Sequence, residues 1–84
     1  MRIIKVRPTD HYIRNHSDVE WELVVRTVLS PNKVRAERIQ NRFTYVKRFK
    51  KFVVEIHAEY SDLELAIYVI NAFKMPKGRM RWKK

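Results

Sequence analysis

Two groups of residues in this 84-residue chain have the types and spacing for acid–base chemistry. The first is His11, Arg14, Asn15 and His16. On a helix His11, Arg14 and Asn15 share a face at i, i+3 and i+4. His16 is five residues from His11, which rotates it about 140° around a helix, whereas helical metal-binding pairs sit three or four apart. The two imidazoles are therefore expected to diverge, and no metal site is expected. The simplest reading of His11 alone is a solvated first-turn histidine. The second group is His57 between Glu55 and Glu59 at strand spacing, which reads either as a surface charge ladder or as an acid–base histidine set among carboxylates. Glu55 itself would serve as a base or would neutralise Arg42 across a sheet.

The elements that must position these groups follow from hydrophobic period. Residues 2 to 7 alternate weakly and stop at Pro8, predicting a short edge strand or arm. Thr9 has the type of an N-cap and Asp10 suits a first helical turn, so a short helix is expected from His11 to about His16. Ser17 to Glu20 reads as a capping box opening a second helix, with Trp21, Val24, Val25, Val28 and Leu29 as one apolar face and Pro31 as its end. From Lys33 the period switches to two. A strand is expected over Lys33 to Ile39, a second over Arg42 to Arg48, a third over Phe52 to Tyr60, and an inner strand, apolar on both sides, over Leu63 to Phe73. The connections near Phe49 and Ser61 are too short for parallel crossovers. The expected fold is α+β, with two N-terminal helices packed on one face of a four-stranded antiparallel meander.

Register turns this pattern into a surface. With even-numbered turns at Phe49-Lys50 and Ser61-Asp62, the residues Phe43, Tyr45, Phe52, Val54, Ile56, Leu65, Ile67 and Val69 form the core face. The opposite face then gathers Arg42, Thr44, Val46, Arg48, Glu55, His57, Tyr68 and Lys74, and a slip of one residue would destroy that segregation.

Charge gives the surface a partner. The chain carries 19 basic and 9 acidic side chains, a formal net charge of +10, beyond the magnitude of about 2 to 8 that solubility asks of a small domain. It is also zoned: residues 33 to 51 hold eight basic side chains and one acid, residues 52 to 73 hold four acids and no base, and residues 74 to 84 hold six bases and no acid. Zoned positive charge suits a phosphate polymer, and Arg35, Arg38, Arg42, Lys47, Arg48, Lys50 and Lys51 are the expected phosphate contacts. In the basic tail, 74 to 84, Arg79 and Arg81 precede Trp82, which would either close the core or stack on an unpaired base. The whole chain is read as one domain. There is no cysteine, which removes disulfides, thiolate metal sites and cysteine nucleophiles. No apolar run approaches the roughly 20 residues of a membrane span, and no signal-peptide pattern opens the chain, so a cytoplasmic location and no membrane partner are expected.

The order of motifs resembles the small RNases of the barnase, EndoU, colicin and RelE superfamily, in particular its short phage and prokaryotic members. His11-Tyr12-Ile13-Arg14-Asn15-His16 is similar to the family's opening helix, with the Arg displaced by one. Trp21 to Pro31 matches the helix ending in proline, and Asn41-Arg42-Phe43-Thr44-Tyr45-Val46-Lys47-Arg48 matches the first long strand. A hydrophobic hairpin over Phe52 to Phe73 and a closing segment ending at Trp82 complete the likeness. The chain departs from the pattern in lacking a glycine at the hairpin turn, in carrying Ser17 where a proline commonly follows the second histidine, and in carrying Asn71 where a threonine is common. The resemblance implies a metal-independent endoribonuclease, needing no cofactor, that works by attack of the ribose 2′-hydroxyl on the adjacent phosphate. His11 and His57 would then supply acid and base, and Arg42 and Lys74 the phosphate clamp, with Arg14 in support. It also implies an RNA partner, ribosome-associated or free, and for the toxin half of a toxin–antitoxin pair an acidic antitoxin covering the basic face. The alternative is an RNA-binding or ribosome-associated module without catalysis.

Overall fold

Alternating side chains and turn residues set the strands, and the computed structural model describes residues 5–76. In chain order the elements are strand β1 (Lys5–Pro8), helix α1 (Asp10–Asn15), helix α2 (Trp21–Leu29), and strands β2 (Lys33–Ala36), β3 (Arg42–Arg48), β4 (Phe52–Ser61) and β5 (Ala66–Pro76). Among the described residues no helix is long and apolar enough to cross a membrane.

The sheet corrects the expected meander. It has five strands in the order β1-β5-β4-β3-β2, and it is mixed: β1 runs parallel to β5 with Lys5 opposite Ala66 and Pro8 opposite Val69, while every other pairing is antiparallel. Turn length correctly constrains neighbours in sequence, but β1 and β5 are joined through the whole intervening chain, which is ample for a parallel crossover. With β1 added, β5 lies inside the sheet, as its two apolar sides required.

The helices also differ from expectation at one junction. Thr9 does cap α1, its Oγ1 accepting from the Tyr12 amide at 3.3 Å. The Ser17–Glu20 capping box does not form; α2 starts at Trp21 with Glu20 at the cap position and no side-chain cap bond. A tertiary contact takes precedence over the local one. Val19 is buried in the core, and its carbonyl accepts from the buried Tyr12 hydroxyl at 2.6 Å, which holds residues 16 to 20 away from helical geometry. On α2 the buried positions are Val24, Thr27 and Val28, whereas Leu29, expected in the apolar stripe, is 62% exposed.

The core lies between the helices and one face of the sheet. Tyr12, Val24 and Val28 pack on Val54, Ile56, Ala58, Ile67, Val69 and Ala72, with Tyr45, Phe52 and Val6 around them. The expected inward side of β3 and β4 is therefore observed. Leu65 is an exception: it stands in the turn before β5 at φ 52° rather than in the core, and nearby Leu63 is 94% exposed.

A β-bulge decides what the other face presents. Ala58 pairs with Val69 but His57 pairs with Asn71, so Ile70 is an extra residue on β5. Up to Val69 the odd-numbered residues of β5 face the helices; beyond the bulge the even-numbered ones do. Ala72 and Lys74 are thereby turned to the helix side, opposite Ile56 and Val54, while Asn71 and Phe73 come to the open side, opposite His57 and Glu55. The expected place of Lys74 on the open face is overturned by this single inserted residue.

Candidate functional site

The open face is a grid whose rows run across the strands. Arg42 lies opposite Glu59, which lies opposite Tyr68, which lies opposite Arg7. In the next row Arg35, Thr44, His57 and Asn71 stand side by side, followed by Lys33, Val46, Glu55 and Phe73. Arg48, Val53 and Met75 form the last. Thr44, Val46 and Val53 are buried among their longer neighbours. The face is thus not uniformly cationic: arginines border a centre that contains Glu37, Glu55 and Glu59.

At that centre His57 is held through both ring nitrogens. Its Nε2 donates to Glu55 Oε2 at 2.7 Å, since a carboxylate can only accept, and its Nδ1 accepts from the Asn71 amide nitrogen at 3.2 Å. Both His57 and Glu55 are about three-quarters shielded from solvent. An imidazole with one nitrogen anchored on a carboxylate and a lone pair on the other is the orienter–base arrangement of hydrolytic triads, with the Asn71 amide on the base nitrogen. On the β2 side of the same row, the Thr44 hydroxyl donates a hydrogen bond to Glu37, just past the end of β2.

The bulge builds the second half of the site. Because β1 ends at Pro8, opposite Val69, the edge of β5 beyond it is left to α1. His16, the C-cap of α1, donates from Nδ1 to the Ala72 carbonyl at 3.2 Å, which leaves its Nε2 lone pair directed away from that bond. Its ring packs against Phe73 at 5.2 Å, and Phe73 packs against His57 at 5.6 Å. His11 extends the row, its ring 5.1 Å from that of His16. The expected divergence of the two imidazoles is therefore corrected. The helix ends at Asn15, so His16 leaves helical geometry at φ −133° and the 140° rotation expected of two helical positions does not apply. Asn15 stays near His11 as expected at i+4, its amide nitrogen 3.4 Å from His11 Nδ1. Among the described residues no group of three or more His, Asp or Glu side chains could hold a metal ion.

Arg42 shares the open face with His57, one row away, where diagonal neighbours on adjacent strands stand about 7–8 Å apart. Its Nε is 3.6 Å from Glu59, sheltered from solvent and without a hydrogen-bond partner. A sheltered donor that has an ion-pair partner but no hydrogen bond costs free energy, and the planar guanidinium of Arg42 is the group on this face suited to an anionic oxygen. Tyr68 donates a hydrogen bond to Glu64, and this bond, ahead of burial and the Glu64 charge and against the opposing charge of Arg7, holds its hydroxyl above the usual tyrosine range.

The other basic residues are dispersed. Arg35 and Arg48 are on the open face, and Lys50 and Lys51 are exposed in the β3–β4 turn. Arg38 is exposed between β2 and β3, and Arg14 is exposed on α1. Lys47 turns toward the helices, donating to the Ser30 carbonyl at 2.8 Å, with its ammonium 5.9 Å from the Phe49 ring centre. Lys74 lies 4.6 Å over the ring of Phe52, itself stacked on Phe49. It is thus separated from Arg42 and His57 by the sheet, and it does not complete a clamp with them. Arg79, Arg81 and Trp82 lie outside the described residues.

Sequence reasoning singled out Arg42, Glu55 and His57, and the structure brings them to one face. It missed Asn71 and Phe73, which no local signal at Ile70 announced, and it set His16 aside on a helical rotation that does not apply to a cap residue. The chain matches no protein-family model, no curated protein and no solved structure.

Proposed function

We propose that this protein binds single-stranded RNA across the open face of its sheet and cleaves it without a metal ion. The observation that carries the reading is the Glu55-anchored His57, one row from Arg42, whose sheltered Nε is ion-paired with Glu59 but makes no hydrogen bond, and linked through Phe73 to His16. The net charge of +10 supplies the long-range attraction to a polyanion.

Cleavage by 2′-hydroxyl attack needs a base for that hydroxyl, an acid for the departing 5′-oxygen and a cation beside the crowded phosphate. Imidazole is the side chain that supplies both acid and base forms near neutrality. His57 acts through Nδ1 once substrate displaces the Asn71 amide, His16 through Nε2 from the edge of β5, and Arg42 holds phosphate oxygens in its planar fork. His11 buttresses the His16 ring, and Lys74 has no direct part. The reaction selects RNA by mechanism, since DNA lacks the attacking hydroxyl. A cytoplasmic location accords with an RNA substrate, and an acidic protein covering the arginines of the open face would be its natural inhibitor, as for a toxin restrained by its antitoxin.

A second reading, an RNA-binding module without catalysis, is favoured by the fact that both ring nitrogens of His57 are already engaged within the protein. One assay separates the two. Labelled single-stranded RNA incubated with the protein in EDTA is expected to yield 2′,3′-cyclic phosphate ends. His57→Ala and His16→Ala are each expected to slow the reaction at least about 100-fold, the low end of general acid–base contributions. Lys74→Ala is expected to leave it unchanged. RNA that is bound but stays intact establishes the module instead, and RNA that is neither bound nor cut overturns both.

A further inference from the structure

Phe73 is 39% exposed, although it sits between the rings of His16 and His57. A ring in that position would ordinarily be buried by a domain that has a core within reach. The bulge at Ile70 does the opposite: without it Phe73 would face the helices opposite Val54, and with it the ring is delivered to the open face opposite Glu55. His16 and His57 stand on either side of it, their planes crossing the phenyl plane at 80° and 67°. Neither imidazole is stacked on the phenyl ring, which therefore remains partly uncovered between two acid–base groups. Asn71, two residues earlier on the same face, carries an amide that can hydrogen-bond a base edge.

We infer that Phe73 is the stacking platform for one base of the bound RNA, with its ribose and phosphate held between His16 and His57; this rests on the RNA reading above. Every nucleobase has a π-face, so a lone phenyl ring favours an unpaired nucleotide without dictating its identity, while a base locked in a duplex could not reach it. The occupant is accordingly a single-stranded segment, and selection among bases falls to Asn71. The platform also fixes the reacting nucleotide in a site whose histidines are otherwise too dispersed to choose one.

The test uses the full chain and a 2′-O-methylated single-stranded oligonucleotide, which cannot be cleaved, carrying 2-aminopurine at its centre. The wild-type protein is expected to quench 2-aminopurine fluorescence as it binds, because the base stacks. Phe73→Leu is expected to bind about 5- to 150-fold more weakly, the range of one base–aromatic stack, and to lose the quench. Phe73→Trp is expected to keep both. Circular dichroism melting of the two variants shows whether they are folded, and the Trp variant carries the test should the Leu variant unfold. A Phe73→Leu protein that binds and quenches as the wild type does overturns the platform while leaving RNA binding intact; a Trp variant that binds but loses the quench does the same. A wild-type protein that does not bind the oligonucleotide at low salt overturns the RNA reading and the platform with it.

Discussion

If the open face is the RNA-binding surface, the salt dependence of affinity must be set by the basic residues on that face, its arginines chief among them, and not by the lysines behind it. Arg7, Arg35, Arg42 and Arg48 all project from the open side, whereas Lys47 and Lys74 project toward the helices. Each phosphate neutralised on a single strand contributes about −0.7 to the slope of log K against log salt, so contacts from these arginines give a slope of about −3. Affinity should then fall roughly 50-fold between 50 and 200 mM salt. Arg35→Ala and Arg42→Ala should each make the slope shallower by about 0.7, weakening binding similarly for all sequences. Lys74→Ala should leave the slope unchanged, because the bulge places Lys74 over Phe52 on the far side of the sheet. Fluorescence anisotropy of a labelled, uncleavable oligonucleotide across a salt series measures all of these. A Lys74→Ala slope change as large as that of Arg42→Ala, with Arg35→Ala silent, would refute the assignment of the binding face.

Two further predictions concern the fold that holds the site. Tyr12→Phe removes the donor to the buried Val19 carbonyl that replaces the expected capping box, and should cost about 1–3 kcal/mol in urea unfolding. Burial, and then the charge of Asp18, raises the Tyr12 hydroxyl above its ordinary value of 10.0. The folded state therefore keeps a proton that the unfolded chain gives up. This contribution to stability is fully present below the unfolded pKa of about 10 and is lost as pH rises through the higher folded value. Tyr12→Phe should flatten the alkaline loss, and a Phe variant whose stability falls as steeply as the wild type's above that pH would contradict it. Ile56→Ala, at a fully buried position under the helices, should cost about 2–5 kcal/mol, and a smaller loss in the same titration would mean that the core closes over the gap.

What could be seen in the sequence alone was everything governed by period and by sequence-adjacent contacts. Alternation placed β3 at Arg42–Arg48 and put Phe43 and Tyr45 on one side with Arg42 and Thr44 on the other, because neighbouring side chains of a strand must point to opposite faces. Thr9 announced the start of α1, since a hydroxyl there satisfies an amide that the helix leaves open. The surplus of positive charge was equally plain, and Arg42, Glu55 and His57 could be assigned a common face from parity. Tertiary structure decided the rest. The parallel pairing of β1 with β5 joins segments separated by most of the chain, so no local rule bears on it. Val19 gave up a capping box for a place in the core, where burial of its side chain and the Tyr12 hydrogen bond outweigh a local cap. Above all, one extra residue at Ile70 reversed the parity of β5, moving Lys74 off the site and Asn71 and Phe73 onto it. A bulge bends its strand and increases the local twist, so whether it forms depends on packing against neighbouring elements, and those neighbours exist only once the chain has folded.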